Sequence, residues 1–221
     1  MTEQDFAQNV VTPEDVTYVV TDIETDGHSP LRNSMLSFAS VAVARDGSER
    51  GEFEAVLAPL DGREPDPRTM EWWKGFPEAY AAATTDPEPA ETVMAEYADW
   101  VEALPGEKVF CAAPIMFDGP WMDHYLDRFA EARALGGPFA GRQLFRGGGI
   151  CLYTMAGTLR GAPYLNWGMQ RLPTWCYGDI PHTHHAIDDA RGFAQVLVNL
   201  FKIAGELPGI PEAAPATGGP A

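Results

Sequence analysis

The stretch Thr17-Tyr18-Val19-Val20-Thr21-Asp22-Ile23-Glu24 constrains the fold more than any other part of this chain. Five of its eight residues are β-branched, which reads as a β-strand, and the apolar run before the acids marks a buried, central one. Strand side chains alternate between faces, so Asp22 and Glu24 point to the same side while Ile23 faces the other way. Two carboxylates together at the end of a buried strand repel each other and are costly to desolvate unless a cation joins them. An Asp-x-Glu pair alone is common on exposed strands, so further ligands have to come from elsewhere in the chain.

The remaining pattern places the other elements. Residues 35–44 read as a second strand, Asp46-Gly47 as a hairpin turn and 51–57 as a third, which makes three antiparallel strands at the start. Pro65-Asp66-Pro67 opens a short helix through Met70, Trp72 and Trp73. Apolar residues at helical spacing predict helices over 87–104, 120–134 and 186–203, with strands at 108–112 and 150–152 between them. Five strands, first three together and then alternating with helices, predict an α/β chain with a mixed sheet flanked by helices.

At 221 residues the chain suits one domain, placed at 17–205 between a loosely attached arm (1–16) and a Pro/Ala/Gly-rich tail (206–221) expected to be disordered. The opening Met1-Thr2-Glu3-Gln4-Asp5 lacks the features of a signal peptide, and no apolar run approaches bilayer-spanning length. A cytoplasmic protein with no membrane partner is therefore expected. Cys111, Cys151 and Cys176 are odd in number and widely spaced, which fits neither a disulfide framework nor a zinc knuckle.

A net charge of −17 argues against tight non-specific binding of long nucleic acid. The stretch 132–178 departs from that average, for it contains no Asp or Glu. It carries Arg133, Arg142, Arg146, Arg160 and Arg171 among Phe139, Phe145, Tyr153, Tyr164, Trp167, Trp175 and Tyr177. Basic groups interleaved with aromatics suit a single strand, whose phosphates and exposed bases need both. Core aromatics beside surface arginines explain the same composition equally well.

Further ligands are present. Asp118 follows Pro114-Ile115-Met116-Phe117 near the start of a helix, where an Asp serves equally as a cap. Asp189 lies in the first turn of the last helix, a position the helix dipole favours in any acid. His184 stands five residues before it, on a loop that also holds His182 and His185. Three histidines so close suggest zinc, but no Cys or His cluster elsewhere completes a tetrahedral set. Oxygen-rich ligation points to a hard cation, Mg²⁺ or Mn²⁺.

The segments Asp22-Ile23-Glu24-Thr25, Phe117-Asp118 and His184-His185-Ala186-Ile187-Asp188-Asp189-Ala190 resemble the three signature motifs of the DEDDh 3′–5′ exonucleases, the DnaQ-like branch of the ribonuclease H-like fold. The resemblance covers roughly residues 17–203. It implies a ribonuclease H-like five-stranded mixed sheet and a metal-dependent 3′–5′ exonuclease that releases nucleoside 5′-monophosphates from single-stranded or short nucleic acid. It also implies two divalent cations, Mg²⁺ or Mn²⁺, held by Asp22, Glu24, Asp118 and Asp189, with His184 taking a proton from the attacking water. His184, not His185, has the family's spacing to Asp189. The resemblance further implies that the 3′ nucleotide sits near Thr25, with Met35, Leu36, Trp72 and Trp73 as candidate contacts, although packing explains the last four as well. Some members dimerise to build their groove, which leaves room for a homodimer. The other readings are a non-catalytic module that binds nucleic acid or a polymerase on the same fold, and a ribonuclease H-like endonuclease.

Overall fold

The expected first strand forms as β1 (Val16–Thr25) and lies at the centre of a five-stranded sheet. The structure is a computed structural model that describes residues 15–137, 141–161 and 174–206. β2 (Met35–Val43) pairs antiparallel with β1, and β3 (Glu49–Val56) pairs antiparallel with β2. On the other side β4 (Glu107–Ala112) and then β7 (Ile150–Cys151) run parallel, giving the order β3-β2-β1-β4-β7. This is the mixed, ribonuclease H-like sheet with its first three strands antiparallel. β5 (Ala132–Arg133) and β6 (Arg142–Gln143) form a separate two-stranded parallel ladder that the sequence did not suggest.

Helices cover both faces. The alternation of β1 sends Val19 and Ile23 to one side, where α3 (Ala90–Ala103) and α4 (Ile115–Ala130) pack with Phe38, Tyr97, Trp121 and Tyr125. Tyr18 and Val20 go to the other, against α5 (Leu152–Leu159) and the last helix, α6 (Ala186–Glu206). Along α6 the buried residues Ile187, Ala190, Phe193, Ala194, Leu197 and Leu200 recur at helical spacing. Each fully buried aliphatic side chain contributes roughly 1.5–3 kcal/mol, so this stripe fixes α6 across β1 and β2. A chain of hydroxyls is paired within the core. The hydroxyls of Thr21 and Ser40 lie 2.7 Å apart, and that of Ser40 lies 3.0 Å from the Tyr97 hydroxyl.

Two short helices set the rim of the site. Asp66 caps α1 (Pro67–Trp73), accepting from the amides of Arg68 at 2.9 Å and Thr69 at 3.1 Å, with Pro67 at the first helical position. α2 (Pro77–Ala82) follows and was not legible in the sequence. Boundaries differ elsewhere. The helix expected from residue 120 starts at Ile115, with Pro120 inside it, and the one expected from residue 87 starts at Ala90. The strand expected over 150–152 stops at Cys151, where α5 begins. The outer parts of the expected arm and tail, 1–14 and 207–221, lie outside the described residues. Among the described residues no helix is long and apolar enough to cross a membrane.

Candidate active site

β1 delivers Asp22 and Glu24 on the face that α6 covers, and α6 brings Asp189 to meet them. Each of the three offers a carboxylate oxygen within 4.8 Å of the others. Asp118 arrives from the opposite side. Its amide donates to the Pro114 carbonyl at 3.4 Å, so it lies inside the first turn of α4 and does not cap it. β4 pairs with β1 only as far as Val20 and Cys111, and beyond that point Asp118 takes a backbone hydrogen bond from Ile23. The carboxylate thus continues the ladder where the neighbouring strand ends, which holds it beside Asp22 and Glu24.

The electrostatics are those of acids with no counter-charge. Asp22 is held well above the usual carboxylate range, first by burial and then by the charges of Asp118, Glu24 and Asp189. Glu24 is pushed up to about 9 by burial and by Asp189 and Asp118. Burial raises Asp118 to about 7 against the pull of its backbone hydrogen bonds. Among the described residues no lysine or arginine forms an ion pair with Asp22, Glu24 or Asp118. A set of oxygen donors that is buried, mutually repelling and without a basic partner fits a hard divalent cation.

The histidine loop is tied to the same carboxylate. Asp189 accepts from the Thr183 amide at 2.9 Å through Oδ1 and from the His184 amide at 3.1 Å through Oδ2. His184 adopts a left-handed backbone, φ 60°, that these bonds help to hold. Its ring packs edge-on against Phe76 and Trp72, with centroids 4.4 and 5.0 Å away. Burial and the neighbouring His182 lower its pKa, partly offset by Asp189, so the imidazole is neutral at physiological pH. His185 points elsewhere, with Nε2 3.2 Å from Glu54 on β3. Asp188 supports the loop by accepting from the Thr183 hydroxyl at 3.2 Å. His182, which the sequence offered only within a histidine tract lacking a complete zinc set, places its Nδ1 3.0 Å from Asp189 Oδ2.

A cavity of about 240 Å³ opens beside the acids, lined by Ile23, Glu24, Thr25, Thr69, Trp72, Trp73 and Phe117 among others. Trp72 is 44% exposed, whereas Trp73 is buried and donates from Nε1 to the Thr25 carbonyl at 3.0 Å. Met35 and Leu36 lie in the core rather than on the cavity, because β2 is buried along its whole length. Phe117, 38% exposed, was quoted in the sequence only as the neighbour of Asp118, and its place on the rim had no signal of its own. A second cavity, of about 410 Å³, is lined by Asp189 with Tyr153, Tyr177, His182 and Phe193 among others.

Several described residues of the Arg- and aromatic-rich stretch follow the simpler reading, whereas Tyr153 and Tyr177 line the second cavity. Arg133 pairs with Asp123, Arg142 with Glu102 and Arg146 with Glu107, while Phe145 is core. Phe139, Tyr164, Trp167 and Arg171 lie outside the described residues.

No family model and no curated protein sequence matches the chain. Solved structures match it in fold at low identity. The nuclease domain of 3′hExo, a DEDDh family member bound to rAMP, superposes with a TM-score of 0.58 at 11% identity, over 87% of this chain and 94% of that one. Cell-death related nuclease 4 gives 0.57 at 18% identity over 86% and 65%. Exonuclease I gives 0.56 at 16% identity over 85% and 42%. The sheet order, the helices on both its faces and these superpositions together give the chain the fold of the DEDDh 3′-exonucleases.

Proposed function

We propose that this protein is a metal-dependent 3′–5′ exonuclease that hydrolyses single-stranded or short nucleic acid to nucleoside 5′-monophosphates. The observation that carries this reading is the convergence of Asp22, Glu24 and Asp189, with Asp118 beside them in the first turn of α4, where among the described residues no lysine or arginine pairs with Asp22, Glu24 or Asp118. Asp22, Glu24 and Asp189 would hold the cations, two Mg²⁺ or Mn²⁺, with Asp118 close by. Divalent cations bound there supply charge neutralisation for the scissile phosphate and make the attacking water more acidic.

The chain's own residues do the rest. His184 accepts the proton of the attacking water, for which a neutral imidazole at the rim of the site is suited. Its hydrogen bond to Asp189 and its packing on Phe76 fix where the ring stands. The cavity lined by Thr25, Trp72 and Phe117 takes the 3′-terminal nucleoside, with the exposed Trp72 ring as a stacking surface. Trp73 acts beneath it as a support. The 3′hExo nuclease domain is bound to rAMP, a nucleoside monophosphate of the class this reaction would release, which supports the assignment.

The test is incubation of 5′-labelled single-stranded oligonucleotides with Mn²⁺ or Mg²⁺. Stepwise shortening from the 3′ end is expected, with a circular single strand left intact. Uncut linear oligomers overturn the reading, and a cut circle replaces it with an endonuclease.

A further inference from the structure

The proposed nuclease chemistry uses one of the three clustered histidines, and a second has an unassigned position. His182, His184 and Asp189 each place a potential ligand atom within 4.8 Å of the other two. The His182 and His184 ring centroids are 4.6 Å apart, and His182 Nδ1 lies 3.0 Å from the Asp189 carboxylate. Two imidazoles and a carboxylate form a different donor set from the all-oxygen cluster of Asp22, Glu24 and Asp189. Nitrogen ligands favour borderline metals over Mg²⁺. Three protein ligands with a fourth position open is a recurrent arrangement for zinc, and Asp189 supplies the ligand that the histidine tract alone lacks.

We infer that His182, His184 and Asp189 form a second metal site, selective for Zn²⁺ or a similar transition metal, that shares Asp189 with the all-oxygen cluster. Ligand atoms about 2.0–2.1 Å from a tetrahedral zinc lie roughly 3.4 Å apart, so closing the site takes about 1 Å of side-chain adjustment. His182 has the freedom for it, since its side chain is 56% exposed. His185 is not part of the set, because its ring is turned to Glu54. The sharing has a consequence. A transition metal in this site withdraws the His184 nitrogen and an Asp189 oxygen from the neighbouring cluster, and so inhibits hydrolysis. Only that consequence rests on the exonuclease reading; the binding does not.

The test is titration of the metal-free, full-length protein with Co²⁺ as a spectroscopic stand-in for Zn²⁺, followed by visible absorption. One equivalent should give the intense bands of four-coordinate cobalt, and Zn²⁺ should bleach them. His182→Ala should lose the bands, and Asp22→Ala, which removes only the oxygen cluster, should keep them. Histidine side-chain NMR provides a second readout, in which Zn²⁺ should shift the ring signals of His182 and His184 and leave those of His28 and His124 in place. Weak, six-coordinate absorption in the unaltered protein, bands that survive in His182→Ala, or bands lost in Asp22→Ala would each overturn the site. Both readouts report binding, so an inactive protein with the expected spectra would sink the exonuclease reading and leave this site standing.

Discussion

The backbone amide of His184 donates to Oδ2 of Asp189 at 3.1 Å, so the candidate base and a candidate metal ligand are held by one hydrogen bond. Replacing the His184 ring removes the proton acceptor without removing a carboxylate. His184→Ala should lower turnover by roughly 10²–10⁴-fold while Mn²⁺ binding to the acids persists. His185→Ala, which loses a contact to Glu54, should stay within a few-fold of the parent. Single-turnover assays with a labelled oligonucleotide measure both, and a crippled His185→Ala beside an active His184→Ala would reverse the assignment.

Metal-free stability should fall as pH rises. In an unfolded chain these carboxyls titrate near pH 4, whereas burial and the charges of Asp189 and Asp118 lift Glu24 to about 9, and burial lifts Asp118 to about 7. The folded state therefore keeps protons that the unfolded state releases, and stability declines across that window. Acids with lowered pKa, such as Asp123 and Glu52, lose their contribution only as pH drops below their unfolded values, so they do not mask the trend. Thermal melts in a chelator should give a Tm lower at about pH 8 than at about pH 5, and saturating Mn²⁺ should remove most of the difference. A metal-free Tm that is flat or rises with pH contradicts this account.

Asp22→Asn should separate stability from function. It removes the carboxylate that the other three repel, so the metal-free Tm at neutral pH should rise while hydrolysis disappears. A destabilised Asp22→Asn protein would mean that the cluster is not under electrostatic strain.

The two tryptophans should divide by role. Trp73 is buried and bonded to Thr25, and Trp73→Ala should cost roughly 3–5 kcal/mol of stability. Trp72 is exposed at the cavity, and Trp72→Ala should leave Tm nearly unchanged while raising KM for oligonucleotides. Denaturant melts and steady-state kinetics on the pair decide it.

Much of this was legible before any coordinates. The period of two in β1 put Asp22 and Glu24 on one face, and the apolar run before them required a central strand. The spacing in α6 placed Asp189 in its first turn, and the structure turns His184 toward the site and His185 away. What was missed depends on tertiary contact. Pro120 looked like a helix start, yet α4 begins at Ile115, and Asp118 is placed by a hydrogen bond from Ile23 that no local pattern encodes. Met35 and Leu36 were candidates for the pocket although strand residues of their kind are more often core, and the neighbours of β2 bury them. The 3.0 Å approach of His182 Nδ1 to Asp189, seven residues later, had no signal in the local pattern.

The proposed hydrolysis requires that Asp22, Glu24, Asp118 and Asp189 together hold divalent cations. Calorimetric titration of the metal-free protein with Mn²⁺, beside Asp22→Ala, measures that binding most directly. Saturable binding by the parent that is lost in Asp22→Ala is the predicted result. No heat of binding in the parent, or an unchanged isotherm in Asp22→Ala, would contradict it.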